Sequence, residues 1–338
     1  MYKLDFASKF PDFIGRVNLM TKIKVTAVIN TFNRKELLED AIMSVFKQTS
    51  SVCKLIVIDD GSSDGTSEVV AQIAKNAPIP VEYHRYEQSG LYPSRNRGLE
   101  AVEDGYIAFL DDDDAWVEIH IERLTELARS FSQAVFLGGL ISRPESNIPI
   151  MPAPHLMDDY HPVPGFYEVY QRTRSRELEH IFFVGHLSAA LIDAVAARRV
   201  GGFDSSMKLR GDVLMVWELS RVGDIVLDKR VHAWAKRVPG SLSSGVDMAC
   251  DPVGFHRIRA RACFWQAYAI RKMIDDRSRS KAPLMHQQLS DELIGCSMHL
   301  RRAGERSESL QKAMEALKAY PCRRTARNLL GALFFRSG

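Results

Sequence analysis

Four consecutive carboxylates, Asp111 to Asp114, follow an apolar run in YIAFLDDDDAW (106–116). Like charges at that spacing repel one another. Either a cation offsets the repulsion, or the run is a solvated loop tip. A second apolar run closes the same way, since LIVIDDGSSDGT (55–66) carries Asp59 and Asp60 ahead of a glycine. Acids at the ends of two separate apolar runs favour the cation. In an extended chain alternate side chains share a side, which would place Asp111 with Asp113 and Asp112 with Asp114. Hard oxygen ligands without His or Cys suit Mg2+ or Mn2+. One or two carboxylates rarely fill such a shell, and substrate phosphates usually complete it. The expectation is that carboxyl groups from two neighbouring strand tips, Asp60 and Asp113 on one side of the sheet, converge on a single divalent ion that grips a pyrophosphate.

Other routes to phosphate binding are missing. There is no G-x-x-x-x-G-K-[ST] loop and no G-x-G-x-x-G after the first strand, which argues against a P-loop nucleotidase and a dinucleotide fold. Basic side chains must then share the charge with the metal. Arg95 and Arg97, near the start of segment 93–102, are the candidates, although both would also suit an ordinary helix face.

The elements that must position these groups alternate. IKVTAVINTF (23–32), CKLIVIDDG (53–61), VEYHRY (81–86), GYIAFL (105–110) and AVFLGG (134–139) read as strands. Segments 36–48, 67–75, 93–102 and 117–131 read as the helices between them. This order predicts an α/β fold with a Rossmann-like, mostly parallel sheet flanked by helices. Runs as apolar as LIVI need burial on both faces. Ligands of such sheets bind beyond the carboxyl ends of the strands, where both acid clusters fall. Residues 142–180 are proline-rich and aperiodic, and predict irregular structure or a loop over the site. A short strand or helix with a turn is expected at 189–204, and a helix at 212–222. After about residue 250 the pattern is all-α. Apolar faces fall at Ile258, Ala262, Trp265, Ala269 and Met273; at Leu289, Leu293, Cys296 and Leu300; at Leu310, Met314 and Leu317; and at Ala326, Leu329, Leu330 and Leu333.

The chain has 338 residues, 46% hydrophobic and 26% charged, which suits a globular protein with a substantial core. No apolar run approaches the roughly 20 residues that cross a bilayer, and the first twenty residues, with Asp5, Lys9, Asp12 and Arg16 among scattered apolar positions, do not read as a secretory signal. Five widely spaced cysteines predict reduced thiols and a cytoplasmic protein. Net charge is +3, yet residues 256–338 hold 17 Lys and Arg against 7 Asp and Glu. A basic tail on an acidic body suits an anionic partner or a membrane surface as well as plain solvated helices.

VTAVINTFNR (25–34), QTSSVCKLIVIDDGSSDGT (48–66), SRNRGLEAVEDGYIAFLDDDDAW (94–116) and RRVGGFD (198–204) together resemble the inverting family-2 glycosyltransferases with the GT-A fold. The similarity spans roughly residues 23–245. It implies an N-terminal extension (1–22), a GT-A domain (23–250) with a nucleotide-binding half (23–141) and an acceptor half (142–250), and a helical C-terminal region (251–338). It implies that Thr31 and Phe32 line the base pocket, that Asp60 accepts from base or ribose with Asp59 in support, and that Arg95 lies near base and phosphate. Asp111-Asp112-Asp113 matches the family's Asp-x-Asp motif, with Asp111 toward the ribose and Asp113 on the metal, Mn2+ or Mg2+. Asp114 and Trp116 also match, though Trp116 is equally suited to packing.

The metal would stabilise the diphosphate leaving group, while an acceptor hydroxyl, activated by a general base, attacks with inversion. The family's Glu-Asp pair reads Gly211-Asp212 here, so Asp212 is the base candidate; an Asp at a helix start also suits a cap. Asp204 reads as a turn residue, and Glu218 and Asp224 are further acids. A family histidine after the last strand is replaced by Val238 in KRVPGSLS (236–243), with Lys236 or Arg237 as substitute charges and His232 facing elsewhere. His186 falls where the family lines its acceptor pocket, or is a core histidine.

The reading is therefore a metal-dependent hexosyltransferase that moves sugar from a nucleoside-diphosphate sugar, UDP-linked by expectation. Its acceptor would be a saccharide or glycolipid of surface polysaccharide or lipopolysaccharide synthesis, with peripheral membrane contact through the basic C-terminal region and no nucleic-acid partner. Gly211 and Val238 motivate an alternative, a nucleotide-sugar-binding module that has lost catalysis. A nucleotidyltransferase would need a glycine- and arginine-rich loop that NTFNRKE (30–36) lacks.

Overall fold

The computed structural model describes residues 23–145, 148–151, 157, 160–166, 168–174, 185–236, 251–275 and 283–334. The extension 1–22 and the segment holding Arg237 and Val238 lie outside these. Strands β1 (Val25–Thr31), β2 (Lys54–Asp59), β3 (Val81–Arg85) and β4 (Tyr106–Asp111) run parallel in the order β3-β2-β1-β4. Helices α1 (Lys35–Phe46), α2 (Thr66–Ala74) and α3 (Leu91–Glu100) link them. Side-chain alternation splits each strand between two cores. Val28, Ile56, Ile58, Ile107 and Phe109 enter one cluster; Ala27, Ile29, Leu55, Val57, Ala108 and Leu110 enter the other. Both faces are buried, as the unbroken apolar runs require.

Beyond β4 the sheet is mixed. The short β5 (Asp114–Trp116) precedes α4 (His120–Ser130) and β6 (Ala134–Ser142). β6 does not lie beside β4. The strand β9 (Ala190–Asp193) sits between them, antiparallel to both. Residues 189–204 thus give a strand, then α5 (Ala194–Arg199) and a turn. After α6 (Gly211–Leu219) comes β10 (Asp224–Ala235), parallel to β6 and antiparallel to β5. β8 (Val169–Arg172) pairs with β10, and β7 (His161–Pro162) with β8, so part of the proline-rich stretch is strand.

β10 escaped the sequence reading because Asp228-Lys229-Arg230 interrupts its apolar pattern. The register shifts there. Asp228 is fully buried against Arg123 (2.9 Å) and Arg230 (2.8 Å).

Helices α7 (Pro252–Asp275), α8 (Pro283–Arg302), α9 (Arg306–Ala319) and α10 (Arg323–Phe334) complete the chain. No helix of the described residues is long and apolar enough to cross a membrane. Ala269, Met273, Leu289, Leu293, Cys296 and Leu300 are buried as expected. The last two helices are rotated from expectation. On α9 the buried positions are Ser309, Ala313 and Ala316, and Met314 is exposed. On α10 Thr325, Asn328 and Ala332 face inward, leaving Leu330 and Leu333 exposed. Small residues let these helices approach closely, and that outweighs the larger apolar side chains.

Candidate active site at the strand ends

β4 ends on Asp111, Asp112 and Asp113 form a turn, and Asp114 opens β5. The turn breaks the expected alternation. Arg34, just before α1, donates to both Asp112 (2.9 Å) and Asp113 (3.1 Å). The Thr31 hydroxyl also donates to Asp112 (2.8 Å). Arg95 on α3 donates to Asp111 (2.5 Å). Two arginines therefore supply much of the charge that offsets the run, and Arg34 was not singled out in the sequence. The Asn33-Arg34 pair between β1 and α1 was the signal that could have found it.

Asp114 is treated differently. It is buried, and the half-exposed His186 imidazole lies 3.9 Å from its carboxylate. Ligand atoms of Asp111, Asp114 and His186 all lie within 4.8 Å of one another. Burial, then Asp111, pushes the Asp114 carboxyl well above its usual range, although the nearby Ser188 hydroxyl opposes this. Burial also pushes Asp112 up to about 6 against the pull of Arg34 and Thr31. It raises Asp113, helped by the charge of Asp111. At Asp111 burial is more than reversed by Arg95, and the carboxyl falls below the ordinary range. His186 Nδ1 is buried without a hydrogen-bond partner. An unsatisfied imidazole nitrogen facing two carboxylates fits a divalent ion, so Asp111, Asp114 and His186 are the residues that would hold one. Asp113, the expected ligand, lies against Arg34.

The acids of β2 do other work. β1 lies between β2 and β4, so the strand tips carrying Asp60 and Asp113 are not neighbours. Asp59 is fully buried and accepts from the Gly61 (3.1 Å) and Ser62 (2.7 Å) amides and from the Tyr83 hydroxyl. Asp60 accepts from the Ser89 (2.9 Å) and Gly90 (2.8 Å) amides, with Arg97 at 3.4 Å. These carboxylates shape the loops that wall the edge; they do not join the Asp111 cluster. Phe32, just past the end of β1, is exposed, next to buried Thr31.

Trp116 is buried, donates its indole N–H to the Ser188 carbonyl (2.6 Å) and packs on His120 with ring centroids 4.7 Å apart. It supports the acid turn from below. His232 faces His120 (Nδ1 to Nδ1, 3.2 Å), with its Nε2 3.5 Å from the buried Asp228. Lys236 pairs with Asp40 (2.6 Å).

Asp212 lies in the first turn of α6, half-buried. The cap position is Arg210, so Asp212 does not cap the helix. Among the described residues its carboxylate makes no hydrogen bond or ion pair with another side chain, while its charge is felt by Tyr92 and Arg95. The other acids are occupied. Asp204 accepts from Ser206 and pairs with Lys272, Glu218 pairs with Arg221, and Asp224 holds Gln171 and the Arg174 amide. At Gly211 a Cβ would meet the Tyr92 ring at 2.7 Å. The family's glutamate has no room here because an aromatic ring stands in its place.

A parallel half, an antiparallel insertion at β9 and acids along the shared strand edge define the GT-A class of fold. A model of glycosyl transferase family 2 matches residues 26–201, just over half of the chain, and the chain belongs to that family. It is 32% identical over 127 residues to a putative teichuronic acid biosynthesis glycosyltransferase of Bacillus subtilis, covering 37% of this chain and 50% of the relative. It is 33% identical over 126 residues to a GalNAc(5)-diNAcBac-PP-undecaprenol beta-1,3-glucosyltransferase of Campylobacter jejuni, covering 37% and 40%. The chain thus spans half or less of the length of these relatives. Among solved structures, S. aureus TarS in complex with UDP-GlcNAc matches with TM-score 0.60 at 15% identity, over 92% of this chain and 87% of that one. The Pyrobaculum calidifontis mannosyltransferase PcManGT with GDP-Man and Mn2+ matches with TM-score 0.58 at 15% identity, over 93% and 81%. At such identities the likeness is one of fold.

Proposed function

We propose that this protein is an inverting glycosyltransferase that moves a sugar from a nucleoside-diphosphate donor, UDP-linked by our reading, to a saccharide or glycolipid acceptor in surface polysaccharide synthesis. One observation carries the proposal. Ligand atoms of Asp111, Asp114 and His186 lie within 4.8 Å of one another, and Tyr92 links this cluster to the start of α6, since it bonds the Gly211 amide beside Asp212 (2.7 Å) and lies 5.8 Å from Arg95, the partner of Asp111; this supports the reading. A divalent ion, when bound, supplies charge that stabilises the departing diphosphate. The chain's own residues do the rest. Arg95 and Arg34 hold the acid turn in shape and present positive charge to phosphate oxygens. Thr31 and Phe32 flank the nucleotide side of β1. Asp212 accepts the proton of the acceptor hydroxyl as that oxygen attacks the anomeric carbon from the face opposite the leaving group.

The glycolipid reading also uses α10. Its exposed stripe carries Arg323 and Arg327, then Leu330, Leu333 and Phe334. Basic and apolar residues on one helix face suit an anionic lipid surface.

The test is thermal stability with UDP, GDP, UDP-GlcNAc and GDP-mannose, each with and without Mn2+. Binding to the folded state raises the melting temperature. We expect a shift for one nucleotide class that needs the ion. No metal-dependent shift with any of them would reject the proposal.

A further inference from the structure

We propose that Tyr92 is a positioning residue for the transfer reaction, capping α6 from outside and so fixing Asp212 at the acceptor edge. The inference rests on the reading of Asp212 as the base. Gly211 is the first residue of α6, and its N–H is one that the helix itself cannot satisfy. The usual remedy is a side chain at the cap. Here Arg210 holds that place with φ 64°, and its side chain makes no cap bond. The phenol oxygen of Tyr92, 119 residues away in sequence, accepts the Gly211 N–H at 2.7 Å instead. Tyr92 is 2% exposed, so this bond is shielded from water.

The contact leaves little play. A Cβ on residue 211 would stand 2.7–2.9 Å from three carbons of the Tyr92 ring. Only glycine lets the backbone come this close. The ring is held in turn by Phe203, stacked at 5.8 Å. The Arg95 guanidinium lies 5.8 Å from the Tyr92 centroid and equally far from that of Phe203. One turn of α3 thus carries both Arg95, which holds Asp111, and Tyr92, which holds the residue before Asp212. The spacing between the leaving-group side and the base is set by a single rigid helix. A bond of this kind contributes a factor of about three to ten.

Tyr92→Phe keeps the ring and removes only the acceptor oxygen. Two measurements on the full chain test the proposal, with Asp212→Asn alongside. Hydrogen exchange should quicken about three- to tenfold in peptides covering 210–214 and stay unchanged in β1 and β4. Nucleoside-diphosphate release from UDP-GlcNAc or GDP-mannose, water serving as acceptor, should lose about three- to tenfold in kcat with donor KM unchanged. Unchanged exchange at 210–214 overturns the cap. Faster exchange throughout the sheet, or a rise in KM that accounts for the loss, makes Tyr92 a packing residue and also overturns it. Turnover retained by Asp212→Asn would remove the base reading, while the exchange result still decides the cap.

Discussion

Arg95 and Asp111 should show the strongest charge coupling at this edge. The guanidinium is 4% exposed and approaches Asp111 at 2.5 Å. With charge centres about 4 Å apart and an effective dielectric constant of about 20, the attraction is about 4 kcal/mol. The Asp111 side chain is 32% exposed, and screening by water lowers this to about 2–3 kcal/mol. Arg95→Met alone also forfeits two ring contacts, each worth about 0.5–1 kcal/mol, and strands a partly buried carboxylate. Its cost should reach about 3–4 kcal/mol. Asp111→Asn alone should cost about 2–3 kcal/mol, because it strands the more deeply buried partner. The double variant should then cost less than the sum by about 2–3 kcal/mol. Urea unfolding of all four proteins at pH 7.5 in EDTA measures that difference. A coupling below about 0.5 kcal/mol would refute the reasoning, and the acid run would have to be held by some other cation.

Asp212→Asn should leave nucleotide binding intact and lower turnover by a factor of about 100 or more, read from nucleoside-diphosphate release. Asp114→Asn and His186→Ala should each weaken Mn2+ binding by about tenfold or more in titrations followed by electron paramagnetic resonance; Asp113→Asn should weaken it less if Arg34 is its main partner. His120 is fully buried, and burial, then His232, holds its pKa well below the usual value. The folded chain therefore binds fewer protons than the unfolded chain below about pH 6.5, and stability drops by up to about 1.4 kcal/mol per pH unit as pH falls. His120→Asn should flatten that slope in urea unfolding between pH 6.5 and 5.5. Leu330→Glu with Phe334→Glu should abolish flotation with vesicles containing phosphatidylglycerol, and unchanged flotation would exclude α10 as the contact.

The parallel half was legible because its physics is local. LIVI and IAFL have no solvated face, so their strands had to be central, and the acids that follow had to lie at the sheet edge. What was illegible depended on partners distant in sequence. Alternation predicts Asp111 with Asp113 only while the chain stays extended, and Arg34 closes Asp112 and Asp113 into a turn. β10 was hidden by Asp228, whose buried charge is tolerable because Arg230 beside it and Arg123, arriving from α4, both pair with it. His186 carried two equal readings until β9 placed it beside Asp114. The helix faces of α9 and α10 were misread because large apolar residues were weighted above the alanines that make the contact.

The helices after residue 251 share one hydrophobic cluster with the sheet: Ala267, Ile270, Met273, Met285 and Leu289 pack in the same unit as Trp217, Ile225 and Phe109. Trp217 belongs to α6, so the element bearing Asp212 is sandwiched between sheet and tail. An engineer cannot snip this tail away like a tether. Any chimera must exchange α6 and α7–α9 as one block, or repack both sides of the seam.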